Sequence, residues 1–105
     1  TLASSSAASD VYKRQARALE WFDNEIGAIL KKARPDDLIV FTADHGNDPT
    51  WPGTDHTREQ VPVLIHHKKM KKEIGTIGNI QFQDVAASVA AHLRIPARGS
   101  GRNFL

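Results

Sequence analysis

The residues able to do chemistry are concentrated in one stretch, positions 42–59, which reads TADHGNDPTWPGTDHTRE. Asp44 and His45 stand near its start, and eleven residues beyond His45 a second acid and imidazole pair, Asp55 and His56, returns. Carboxylates neutralise a cation, and imidazoles add nitrogen donors that bias a site away from Ca²⁺. The chain contains no cysteine, so thiolate sites and disulfides are excluded and any metal must be held by oxygen and nitrogen. That donor set suits Mn²⁺, Zn²⁺ or Mg²⁺. The same residue types also build ordinary exposed turns, in which Asp48 or Asn47 bonds its own backbone, and spacing alone leaves both readings open.

The elements around this stretch place it at the edge of a sheet. Leu19, Phe22, Ile26, Ile29 and Ala33 recur at spacings of three and four, which predicts an amphipathic helix from Ala16 to about Ala33. Pro35 disfavours helical geometry at Arg34 and stops it, and Lys31 and Lys32 suit a helix C-terminus. Residues 38–42 form a short apolar run rich in β-branched side chains, the pattern of a buried parallel strand. Asp44 and His45 therefore leave the C-terminal end of a strand, where open α/β sheets bind ligands, with Gly46 predicted to let the chain turn sharply beside them. A second strand is predicted over residues 61–65, with Pro62 restricting it to an early or edge position. Phe82, Val85, Ala86, Val89, Ala90 and Leu93 predict a second helix, with Asp84 near its N-terminal end and Pro96 beyond its end. Residues 1–15 show no sustained hydrophobic period and read as a disordered or non-native tail. The fold class expected is α/β, and two strands without neighbours do not make a stable sheet.

Composition excludes several classes of function. With 105 residues, 40% hydrophobic and 25% charged, the chain is one small domain or part of one. It has no apolar run near the roughly 20 residues of a membrane span. The net charge of +2 comes from local excesses, Lys68, Lys69, Lys71 and Lys72 in one cluster and Arg94, Arg98 and Arg102 in another. No aromatics interleave with those lysines to stack bases, which argues against a nucleic-acid partner.

Residues 42–59, together with the VPVL that follows, closely resemble the C-terminal metal-binding segment of the phosphopentomutase family, within the alkaline phosphatase superfamily. The ADHG portion is shared across that superfamily, cofactor-independent phosphoglycerate mutase included, and DPTWPGTDHTRE is the discriminating part. The resemblance runs back through ARALEWFDNEI and forward to the final helix, leaving the tail outside. It implies the C-terminal part of a three-layer core with a mostly parallel sheet over residues 16–105. It further implies that Asp44 and His45 ligate the metal that also holds the phosphorylated nucleophile, that His56 ligates a second metal, and that the cofactor is two Mn²⁺ per complete site. Asp48 and Asp55 fall in the signature as possible supports of the imidazoles, and Arg58 as a phosphate contact, with turn chemistry and an ion pair to Glu59 as the plainer alternatives.

The implied reaction interconverts ribose 1-phosphate and ribose 5-phosphate, or their deoxy forms, through a phosphothreonine, in the cytoplasm. The substrate is a phosphorylated pentose, and no membrane is involved. Neither that nucleophile nor the family's other ligands occur here: Asp10 lacks the expected His neighbour, and Thr42, Thr50, Thr54 and Thr57 belong to the loop. The expectation is thus an inactive part of the enzyme. The alternatives are another superfamily phosphatase, a cofactor-independent phosphoglycerate mutase, or a noncatalytic basic binding module. Trp51 is expected to anchor the loop by burial, adjacent His66 and His67 to face opposite ways, and His92 to be a surface or half-buried histidine.

Overall fold

The computed structural model describes residues 2–53, 56–57, 60–70 and 75–105, and only the backbone of residues 2–9. Its elements run α1 (Leu2–Lys32), β1 (Ile39–Phe41), β2 (Leu64–His66) and α2 (Phe82–Leu93), a mixed helix and strand order of the predicted kind. The chain divides into two compact units. One comprises Thr1–Arg34 and Val40–Leu64 and carries α1 and the Asp/His loop; the other comprises Pro35–Ile39 and Ile65–Leu105 and carries α2.

α1 is longer than its apolar stripe. The stripe set the start at Ala16, yet the helix is continuous from Leu2, so the irregular tail expected before residue 16 is helical there. The physical reason is that a stripe reports which face is covered, whereas helix formation needs only good propensity and no breaker. Ala3, Ala7, Ala8, Lys13, Arg14 and Gln15 supply the first, and neither glycine nor proline occurs before Gly27. The helix ends as predicted, with Lys31 and Lys32 in its last turn, and the Ala33 N–H still donates to the Ile29 carbonyl at 3.1 Å. Part of the stripe is used: Ile26 is half-buried, and the Phe22 ring meets Phe41 of β1 edge-on at 5.9 Å. Leu19 and Ile29 remain exposed.

β1 and β2 are neighbours in a two-stranded sheet. The second strand starts at Leu64 rather than residue 61, because Pro62 has no N–H to give a ladder and pairing begins beyond it. β1 matches the predicted run with one residue trimmed from each end. Its end at Phe41 sets where the Asp/His loop departs.

α2 occupies the predicted span. The Asp84 carboxylate accepts the Gln81 N–H at 2.8 Å, which satisfies one of the free donors of the first turn. At the other end Arg94 takes the left-handed conformation (φ 56°), and the Ile95 N–H closes on the Ala90 carbonyl at 3.0 Å. The covered face meets the predicted one only in part. Of the predicted residues Ala90 is buried and Val85 half-buried, while Phe82, Ala86, Val89 and Leu93 are exposed; Asp84, Ala87 and Ser88 are buried as well. On that face Asp84 and Ser88 accept the Arg102 and Phe104 N–H groups of the segment beyond the helix.

Candidate metal centre

The chain leaves β1 at Phe41 and reaches Asp44 and His45 three residues later. It returns through an isolated antiparallel bridge between Gly46 and Thr57, in which the Thr57 N–H donates to the Gly46 carbonyl at 3.3 Å. In antiparallel pairing the side chains alternate between faces, so with 46 opposite 57, residues 45 and 56 lie on one face as diagonal neighbours. Eleven residues of sequence separation collapse accordingly: the His45 and His56 rings stack with centroids 3.7 Å apart and planes 29° from parallel. The chain bends at Asp44 and His45 beside Gly46, which is buried; the bend needs no left-handed glycine, since Gly46 is not among the positive-φ residues, which in the described chain are Gly78 and Arg94. Its part is to supply the bridge carbonyl.

That carbonyl also fixes His45. The ring Nδ1 lies 2.8 Å from the Gly46 oxygen, a hydrogen bond only if Nδ1 carries the proton and donates it. Nε2 is then left with its lone pair, the arrangement usual for a metal-binding histidine. Nε2 lies 3.5 Å from Asp44 Oδ1. Two donors each about 2.1 Å from one tetrahedral ion are about 3.4 Å apart, so this separation fits a shared cation. Asp44 is 89% exposed and His45 37%, so an ion has access from solvent. Stacked rings direct their in-plane lone pairs side by side, not to one point. In keeping with that, no three His, Asp or Glu side chains among the described residues are grouped so as to hold a single ion.

The remaining sequence candidates separate clearly. Asp48 builds a turn: its Oδ1 accepts the Thr50 N–H at 2.8 Å and the Thr50 hydroxyl at 2.6 Å, and its carbonyl accepts the Trp51 N–H at 3.1 Å. Those hydrogen bonds from Thr50, side chain first and then backbone, hold the Asp48 carboxyl below its ordinary pKa. Asp55 and Arg58 lie outside the described residues. Trp51 is 56% exposed, which corrects the expectation that it anchors the loop by burial; the Asp48 turn holds the loop there instead. His67 sets its ring against His92 at 5.2 Å, and its Nδ1 accepts the Lys69 N–H. Asp36 pairs with the Lys69 ammonium.

One contact had no sequence signal. Gln15 of α1 donates from Nε2 to the Asn47 carbonyl at 3.3 Å, tying the helix to the loop just beyond His45. A lone glutamine in a stretch with no apolar period gives no hint of such a role.

A chain with these donors at a strand end belongs to the metalloenzyme superfamily, whose profile matches residues 7–97. The similar curated proteins carry the name phosphopentomutase. The protein of that name from Alkaliphilus oremlandii (strain OhILAs) is 47% identical over 92 residues, covering 88% of this chain and 24% of its own length. That from Rhizobium leguminosarum bv. trifolii (strain WSM2304) is 50% identical over 91 residues, 86% of this chain and 22% of its own length. That from Vibrio cholerae serotype O1 is 44% identical with the same coverage. The chain thus spans about a quarter of the length of the relatives it matches. No helix among the described residues is long and apolar enough to cross a membrane.

Proposed function

We propose that the chain supplies the metal-holding loop of a phosphopentomutase, which interconverts (deoxy)ribose 1-phosphate and (deoxy)ribose 5-phosphate in nucleotide salvage in the cytoplasm. The observation that carries this reading is the stacked His45–His56 pair beside Asp44, at the end of β1. In this proposal Asp44 and His45 hold one divalent ion and His56 a second, with Mn²⁺ as the metal. The two rings lie side by side with centroids 3.7 Å apart, so each imidazole would offer its nitrogen to a separate ion of a two-metal site. Divalent ions held there by Asp44, His45 and His56 would supply electrostatic stabilisation of the charge that develops during phosphoryl transfer.

The chain's own residues prepare the site. Gly46 O keeps the His45 proton on Nδ1, Asp44 supplies the carboxylate, and the Gly46–Thr57 bridge sets the two imidazoles side by side. Asp55 is proposed to support an imidazole and Arg58 to contact the substrate phosphate. The threonine nucleophile, the other ligands and the rest of an alkaline-phosphatase-like, mostly parallel core belong to sequence outside these 105 residues. The test is conversion of ribose 1-phosphate to ribose 5-phosphate with Mn²⁺ by a complete enzyme carrying residues 16–105. Conversion is expected, and His45→Ala or His56→Ala lowers it by at least about 10–100-fold, the cost of losing even an outer partner of a metal ligand. Undiminished conversion in both variants, or turnover by the 105-residue chain alone, overturns the proposal.

A further inference from the structure

The segment beyond α2 meets that helix in an unusual way. The Arg102 N–H donates to Asp84 Oδ1 at 2.8 Å, and the Phe104 N–H donates to Ser88 Oγ at 3.0 Å. Asp84 and Ser88 are one helical turn apart, about 6 Å along the axis, and alternate N–H groups of an extended chain repeat at about 6.6 Å. The two periods match, so one side of an extended strand can be held by an i, i+4 pair on a helix. Both acceptors are built for the task. Asp84 is 9% exposed, and its other carboxylate oxygen is taken by the Gln81 N–H. Ser88 is 1% exposed, and its hydroxyl donates to the Asp84 carbonyl at 2.7 Å, which turns an oxygen lone pair toward Phe104.

The approach also selects the residue that starts the strap. A Cβ on Gly101 would lie 2.0 Å from the Gln83 carbonyl oxygen, and since that oxygen is main chain it has no rotamer by which to yield. We infer that residues 101–104 form a strap which α2 recognises through its backbone N–H groups, with Asp84 and Ser88 as its two pins and Gly101 as its obligatory point of closest approach. The side chains of Arg102 and Asn103 are exposed; the Arg102 charge adds only the smallest of the effects that lower the Asp84 pKa, behind the two N–H groups, and Asn103 Oδ1 accepts the Leu105 N–H at 3.0 Å.

Amide hydrogen exchange on the full chain tests this, with the Ala90 amide inside α2 reporting whether the helix persists. The Arg102 and Phe104 amides are expected to exchange at least about tenfold more slowly than in the free peptide Gly-Arg-Asn-Phe-Leu. Asp84→Ala releases the Arg102 amide, Ser88→Ala releases the Phe104 amide, and Gly101→Ala releases both, whereas Arg102→Ala leaves the protection of both sites in place. Exchange at the free-peptide rate in the unsubstituted chain overturns the inference, as does protection that survives Gly101→Ala. Should Asp84→Ala melt α2 itself, the contrast between Gly101→Ala and Arg102→Ala decides: strap recognition requires loss in the first and retention in the second.

Discussion

His45 carries the most information of any single residue. Its Nδ1 is committed to the Gly46 carbonyl and its Nε2 faces Asp44, so its tautomer and direction are set before any ion arrives. Asp48, close by in sequence, serves the backbone. Asp48→Ala is therefore expected to loosen the turn that includes Thr50 and Trp51 while leaving the His45–His56 pair in place; loss of that stacking, measured by nuclear Overhauser contacts between the rings, would contradict it. Asp84 makes a pH prediction. Its carboxyl is held below the ordinary value by the Arg102 and Gln81 N–H groups, so its contribution is present above its unfolded pKa near about 3.9 and is lost as pH falls through the lower folded value. Stability should therefore fall on acidification below about pH 4, and Asp84→Asn should flatten that dependence. An unchanged acid slope in thermal melts of the variant would refute the assignment.

At the scale of elements, the helix start and the covered face of α2 are the places where patterning and structure part. A helix starting at Ala16 would accept proline there, since the first turn has no N–H to lose. In a helix running from Leu2 the same Ala16→Pro change is interior and should cost about 3 kcal/mol of helix stability, visible as lost ellipticity at 222 nm. Ser88→Ala, in turn, removes a buried acceptor and leaves the Phe104 N–H unpaired, a loss of about 1–3 kcal/mol readable in the denaturation midpoint. Much of the fold was legible: the ends of α1 and α2 follow Pro35 and Pro96, and β1 follows its apolar run. The stripe of α2 misled because Phe82, Val89 and Leu93 are as apolar as a core face, while the contact that forms uses Asp84 and Ser88, polar residues that pattern assigns to solvent. At the loop, type and spacing mark Asp44, His45 and His56 as candidate donors, the role proposed for them here. The stacking was not legible, because it depends on the Gly46–Thr57 bridge, and no residue pair announces an isolated bridge.

For the whole molecule, the chain matches relatives of which it spans 22–24%, and large apolar side chains such as Trp21, Leu64, Phe82 and Leu93 stand exposed. Both facts agree with the proposal that Asp44, His45 and His56 serve a site completed by the rest of the enzyme, in which case this segment alone would hold its ions weakly. The central claim is that metal binds at His45 and His56 rather than at the other histidines of the chain, of which there are five in all. Paramagnetic broadening by substoichiometric Mn²⁺, followed on the imidazole resonances, tests it directly even where affinity is low. The account predicts that His45 and His56 broaden first, with His66, His67 and His92 still sharp. Broadening that begins at His67 and His92, or that is uniform over all five, would contradict it.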